Sequence, residues 1–161
     1  DQIISTLMEQ TSCAFKSPFG WTEITTLKQA IVALEFVQNP KNLNVSFTPF
    51  QNEIIKQLEN YFDKRNYHFN FKIAAKGTSF QKKIWSLLSK VPKGSTVSYL
   101  KIAQLYGNTK AVRAIAGAIS KNPVLIIIPC HRVVGSDGSL VGYSGGLENK
   151  RALLDHEGYS N

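Results

Sequence analysis

Between residues 74 and 77 (A-A-K-G) the apolar pattern of this chain changes period, and that change limits what it can fold into. Before it, residues 13–37 read as short strands joined by turns. Ser17-Pro18-Phe19-Gly20 is a turn signal, and Ala30–Phe36 (A-I-V-A-L-E-F) is a strand. Thr48–Phe62 then places Phe50, Ile54, Ile55, Leu58, Tyr61 and Phe62 at helical spacing, with Thr48 as N-cap and Pro49 in the first helical position. A polar stretch over 63–70 leads into a short F-K-I strand. The pattern predicts an α+β/α chain: a small N-terminal α/β domain, sheet plus helix, over residues 1–75, then a mainly helical C-terminal domain with short strands over 76–161.

Helical signals dominate the second half. Thr78-Ser79-Phe80-Gln81 fits a capping box, in which the Thr hydroxyl and the Gln side chain satisfy each other's orphan amides. Phe80, Ile84, Leu87 and Leu88 give an apolar stripe, ended by Pro92-Lys93-Gly94. Ser98–Tyr106 is a second helix with Gly107 at its C′ position, and Lys110–Ser120 a third. A short glycine-containing connection between two helices predicts a helix-turn-helix. On the third helix Val112, Ile115 and Ile119 share one face and should pack inward. Arg113, Gly117 and Ser120 share another, a long cation among small residues. Beyond Asn122-Pro123, V-L-I-I-I (Val124–Ile128) reads as a buried strand, and Ser136–Ser139 as a hairpin turn of type I′. A glycine-rich loop, Gly142–Gly146, precedes a final helix, Leu147–Glu157, closed by Gly158.

Charge separates the halves as well. Residues 1–75 hold seven Lys/Arg and seven Asp/Glu, whereas residues 76–161 hold twelve against four, so the whole net charge of +8 lies in the second half. A basic half beside a neutral one points to a polyanionic partner, nucleic acid above all. The first ten residues lack the basic and apolar regions of a secretory signal, so the two cysteines, Cys13 and Cys130, are expected as free thiols in a reducing compartment. With His68, His131 and His156 as the only histidines and no Cys-x-x-Cys spacing, no metal site is expected. The longest apolar run is far too short to span a bilayer.

The chemistry concentrates where that run ends, in I-P-C-H-R-V (Ile128–Val133). A cysteine attacks as its thiolate, and only a few per cent of an ordinary thiol is ionised near neutral pH. His131 is the nearest base. Neighbours in an extended segment point to opposite sides, so a water or a local turn must connect the pair. A histidine base also needs a partner to fix its tautomer. Glu157 stands in the last turn of the final helix, where the helix dipole disfavours negative charge, so orienting His131 would explain its position. His156 beside it is expected as a favourable cation at the helix end.

P-C-H-R-V, in register with V-S-Y, K-A-V-R-A, N-P, G-Y-S-G-G and L-L-D-H-E-G, resembles the O6-alkylguanine-DNA alkyltransferases, also called methylated-DNA–protein-cysteine methyltransferases. The resemblance runs from Gly77 to Gly158; the first half is similar only loosely. It implies that Cys130 accepts the alkyl group, that His131 deprotonates it through water, and that Glu157 orients the histidine. Asn122 would brace the site, Tyr99 would donate a proton toward guanine N3, and Ser144 would donate near O6. Arg113 would enter the duplex in place of a flipped guanine, with Ala114 and Gly117 letting the helix approach the DNA; Tyr143 and Arg132 would add substrate or DNA contacts. No cofactor is implied, because the damaged DNA is itself the alkyl donor. Some members bind zinc in the N-terminal domain, for which Cys13 and His68 are too few. The implied partner is double-stranded DNA carrying O6-alkylguanine, met by a monomer in the cytoplasm without membrane contact. The main alternative is a lesion-binding relative without transfer activity; a Cys-His hydrolase leaves Arg113 and the lopsided charge unexplained.

Overall fold

The computed structural model describes residues 10–41 and 46–159, and the chain divides into two compact units between Lys76 and Gly77. The expected lack of a secretory signal falls on the first ten residues, of which 1–9 lie outside the described residues.

In the first unit, β1 (Gln10–Ser17), β2 (Gly20–Leu27) and β3 (Ala30–Phe36) form an antiparallel meander. The β1–β2 turn falls at Pro18-Phe19, with Ser17 opposite Gly20 and Gly20 at a φ of 97° that suits a residue without Cβ. Helix α1 (Pro49–Phe62) then carries the chain back so that β4 (Lys72–Ile73) pairs parallel with β3, giving the order β1-β2-β3-β4. Thr48 caps α1 as expected, and Gln51 completes a reciprocal capping box at 3.0 Å in each direction. The Gln51 amide also donates to Thr11 and Thr26, tying helix to sheet through neutral groups. Ile54 and Leu58 are fully buried on the inner face of α1, each contributing about 2 kcal/mol by removal from water.

The second unit is built on α2 (Ser79–Leu88), α3 (Tyr99–Tyr106), α4 (Val112–Ser120) and α5 (Leu147–His156). Thr78 and Gln81 form the capping box of α2, and Trp85 donates to the Ala118 carbonyl at 2.9 Å, fastening α2 to α4. Ser98 caps α3, and Gly107 ends it in the left-handed conformation. A short 3₁₀ turn (Thr109–Ala111) precedes α4, so the third helix begins later than its sequence pattern suggests. Ile115 and Ile119 are buried while Arg113, Gly117 and Ser120 are exposed, as the helical spacing requires. Two short strands, β5 (Val97–Ser98) and β6 (Val133–Val134), pair in parallel.

Two expectations are corrected. Val124–Ile128 is no strand: Val124 makes a single bridge, and the next three residues turn, with Ile126 at a φ of 70°. The run's backbone groups are satisfied locally instead. Asn122 donates to the Ile128 carbonyl at 2.8 Å and accepts from the Val124 amide at 2.9 Å, while the Ile128 amide reaches the Val124 carbonyl at 3.0 Å. Pro129 then adds a residue with no amide hydrogen for a ladder. Likewise the 136–139 turn is not type I′, which requires positive φ at both central residues. The Gly138 amide bonds the Gly135 carbonyl around Ser136 and Asp137, neither of which has positive φ; only Gly138 does, at 84°. No strand follows it.

Candidate active site

Cys130 opens a 3₁₀ turn (Cys130–Arg132) rather than sitting in extended chain. The β5–β6 pairing sets Ser98 beside Val134, which brings Tyr99 at the start of α3 near that turn. Cys130, Tyr99, Arg113, Gly142, Tyr143 and Ser144 line one cavity of about 370 Å³, within the range of small-ligand sites. Ile119 and Val141 give it apolar walls. The thiol is only 3% exposed, at the inner end of an opening bounded by α4 and the glycine-rich loop.

Behind the thiol lies a chain of buried polar groups. His131 is completely buried, and its Nε2 meets Glu157 Oε2 at 2.8 Å. Glu157 follows the last turn of α5 as its C-cap, where the helix's carbonyls disfavour a carboxylate. Arg132 offsets this: its Nε and Nη2 donate to the two carboxylate oxygens at 2.8 and 2.9 Å, and its Nη1 donates to the Val91 carbonyl at 2.7 Å. A carboxylate held by this guanidinium fork remains an acceptor, so it accepts a hydrogen bond from His131 Nε2–H. The lone pair of the neutral ring then lies on Nδ1, which has no hydrogen-bond partner among the described residues. Burial pushes the His131 pKa down, against the upward pull of Glu157, so the ring is neutral and basic at that nitrogen.

Burial also pushes the Cys130 thiol up to about 11, so the resting group is protonated. A hydrogen bond from the Asn122 side chain and the positive charge of Lys150 pull in the other direction. The phenols of Tyr99 and Tyr143 are both raised, first by burial and then by the charge Cys130 can acquire. Tyr99 donates to the Val141 carbonyl at 2.9 Å, whereas the buried Tyr143 hydroxyl has no partner among the described residues.

Of the residues named from sequence, Cys130, His131, Glu157, Asn122 and Tyr99 are thus gathered around one thiol, and Arg113, Tyr143 and Ser144 line its cavity. Ala114 and Gly117 lie outside it on the exposed face of α4, and a Cβ at Gly117 would meet nothing within 4 Å. Arg132, named from sequence as a substrate or DNA contact, has a side chain 9% exposed and donates to Glu157 and Val91, so the structure sets it as a brace for the carboxylate. Lys150 was missed. It lies on α5 with Leu153, Leu154 and Glu157, an i, i+3, i+4, i+7 set that marks the buried face and could have revealed it.

A buried cysteine at the end of a ligand-sized cavity, backed by an oriented neutral histidine, is the arrangement a nucleophilic thiol requires. Residues 79–159 match the family profile described as 6-O-methylguanine DNA methyltransferase, DNA binding domain. The chain is 39% identical over 149 residues to the methylated-DNA–protein-cysteine methyltransferase of Methanosarcina acetivorans, covering 89% of this chain and 96% of the relative. The structure is similar to the crystal structure of Mycobacterium tuberculosis O6-methylguanine methyltransferase, with a TM-score of 0.82, 33% identity and 92% of each chain covered. Mycobacterium tuberculosis OGT in complex with DNA gives 0.81, 34% and 91% of each chain. This chain belongs to the methylated-DNA–protein-cysteine methyltransferase family.

Proposed function

We propose that this protein repairs double-stranded DNA by moving the alkyl group of O6-alkylguanine onto Cys130, and that each molecule acts once. The observation that carries this reading is the thiol at the inner end of the cavity with the Arg132–Glu157–His131 chain behind it. His131 Nδ1 takes the thiol proton through a water. The sulfur attacks the alkyl carbon in line, a C–S bond forms as the C–O6 bond breaks, and the electron pair leaves with guanine O6. Tyr99 offers its proton toward guanine N3 and Ser144 its hydroxyl near O6, so the departing base carries less charge. The proton lost by the thiol is balanced by the one the released guanine gains. A thioether is stable, and no second thiol lines the cavity among the described residues to remove the alkyl group.

A base stacked in a duplex cannot reach a thiol that is 3% exposed, so the guanine has to flip out. The helix-turn-helix reading assigns α3 and α4 to the duplex, with Arg113 filling the gap and Ala114 and Gly117 allowing close approach. Residues 76–161 form the DNA-binding and active-site domain in this reading, which works as a monomer alongside DNA in the cytoplasm. Incubation with a duplex containing one O6-methylguanine should add about 14 Da, one methyl for one proton, to Cys130 and nothing to Cys130→Ala. Tight lesion binding without that gain would make the protein a recognition factor instead.

A further inference from the structure

Lys150 is fully buried, yet among the described residues no carboxylate forms an ion pair with it. Its Nζ instead donates to the carbonyls of Val141 and Gly142, each at 3.1 Å. Both of those residues line the cavity that Cys130 opens into, so the ammonium lies directly behind the cavity wall. The Val141 carbonyl also accepts from Tyr99, and Asn149 on the same helix donates to the Gly145 carbonyl at 2.9 Å. Helix α5 therefore holds the glycine-rich loop at both ends, and Lys150 is the one charged group in that attachment. Gly142 has a φ of 65°, so the loop's path depends on being held in a conformation that most side chains disfavour.

A buried ammonium with only carbonyl partners is costly to keep charged, and a counter-anion nearby repays it. The anion this site creates is the Cys130 thiolate. We propose that Lys150 is a positioning residue for alkyl transfer: its ammonium fixes the wall carrying Tyr143 and Ser144, and it supplies the positive charge against which the Cys130 thiolate forms. This rests on the alkyl-transfer reading. It assigns the loop and the nucleophile to one cation, so a single protonation state sets both.

The groups coupled to this lysine by charge are Cys130 on the 3₁₀ turn and His131 next to it, and Tyr99 on α3 shares the Val141 carbonyl with it. Burial lowers the Lys150 pKa to about 8 and the Cys130 charge raises it, while Lys150 in turn lowers Cys130 and His131. The lysine is thus charged near neutral pH and loses its proton as pH rises through about 8. A thiol raised to about 11 and acting alone would become steadily more reactive over the same interval. The two dependences have opposite signs.

The test is the single-turnover rate of methyl transfer from a duplex with O6-methylguanine, followed by intact mass from about pH 6 to about pH 9. Wild type should rise toward about pH 8 and level off above it, because loss of the ammonium then offsets the gain in thiolate. Lys150→Met should be roughly tenfold or more slower near pH 7 and should go on rising above about pH 8, where wild type levels off. Lys150→Arg, which stays charged, should also go on rising above about pH 8 and should be faster than Lys150→Met. A wild-type rate that climbs throughout, or a Lys150→Met rate equal to wild type, overturns the proposal. The wild-type profile decides the matter even if both variants fail to fold. Failure of the underlying reading is distinct: wild type would then gain no methyl group at any pH.

Discussion

The two cysteines are buried alike and their thiols are raised alike, each to about 11, but their neighbours act in opposite directions. Cys13 lies in β1 opposite Ile24, and the negative charge of Glu23 makes its ionisation harder still. Cys130 has the Asn122 amide and the Lys150 ammonium, which both make ionisation easier. The same contrast extends to the units around them. The buried polar residues of the first unit are Thr22, Thr25, Thr26 and Gln51, all neutral. In the second unit they are Asn122, His131, Arg132, Lys150 and Glu157, four of them ionisable. Neutral buried groups, once hydrogen-bonded, fasten a fold at small cost; buried charges are costly to assemble and worth having where a reaction develops charge. Burial alone makes a cysteine inert. Its neighbours decide whether it can react.

The contrast breaks most sharply if the cysteines are exchanged in role. Cys130→Ala should abolish methyl transfer completely, while Cys13→Ala should keep the wild-type rate per folded molecule, both read by intact mass against O6-methylguanine duplex. Next comes the guanidinium brace. Arg132→Met leaves Glu157 buried without its main counter-charge and should cost about 3 kcal/mol in denaturant unfolding, with affinity for undamaged duplex unchanged. A large loss of DNA affinity with stability intact would return Arg132 to the DNA surface.

Acid sharpens the comparison between the units. The His131 pKa is lowered in the folded state, so its contribution to stability is present above its ordinary value of 6.5 and is lost as pH falls toward the folded value. Unfolding midpoints should therefore decline below about pH 6.5, and His131→Gln should flatten that decline. The thiols act in reverse. Both are raised, so their contribution is present below 9 and is lost as pH rises from there toward about 11, equally for Cys13 and Cys130. The smallest effect tests where the units are alike. Thr48→Ala and Thr78→Ala each remove a capping-box hydroxyl and should each cost about 1 kcal/mol, with no dependence on pH.

Features decided by near neighbours in the chain were legible beforehand. Thr48 and Thr78 cap their helices, Gly107 ends α3, and the inward and outward faces of α4 follow from the helical repeat. The gathering of Cys130, His131 and Glu157 was also anticipated, because a helix-end glutamate is locally disfavoured and so invited a distant partner. The failures share a cause. Val124–Ile128 has no periodicity to tell a strand from a folded loop, and the deciding contact is the Asn122 side chain spanning that run. Arg132 looks like an ordinary surface cation in sequence, and for Lys150 the helical spacing with Leu153 and Leu154 marks a buried face without disclosing that carbonyls meet it there.

The amino-acid sequence by itself determined the helices and their caps, the strand meander, the concentration of positive charge from residue 76 onward, and the Cys-His pair that ends the apolar run, because each depends on residue type and short-range spacing. Tertiary structure alone decided that Arg132 braces Glu157, that His131 presents Nδ1, and that Lys150 lies behind the cavity wall. Those outcomes depend on which buried face meets which, and on the desolvation that meeting imposes, neither of which any local pattern encodes.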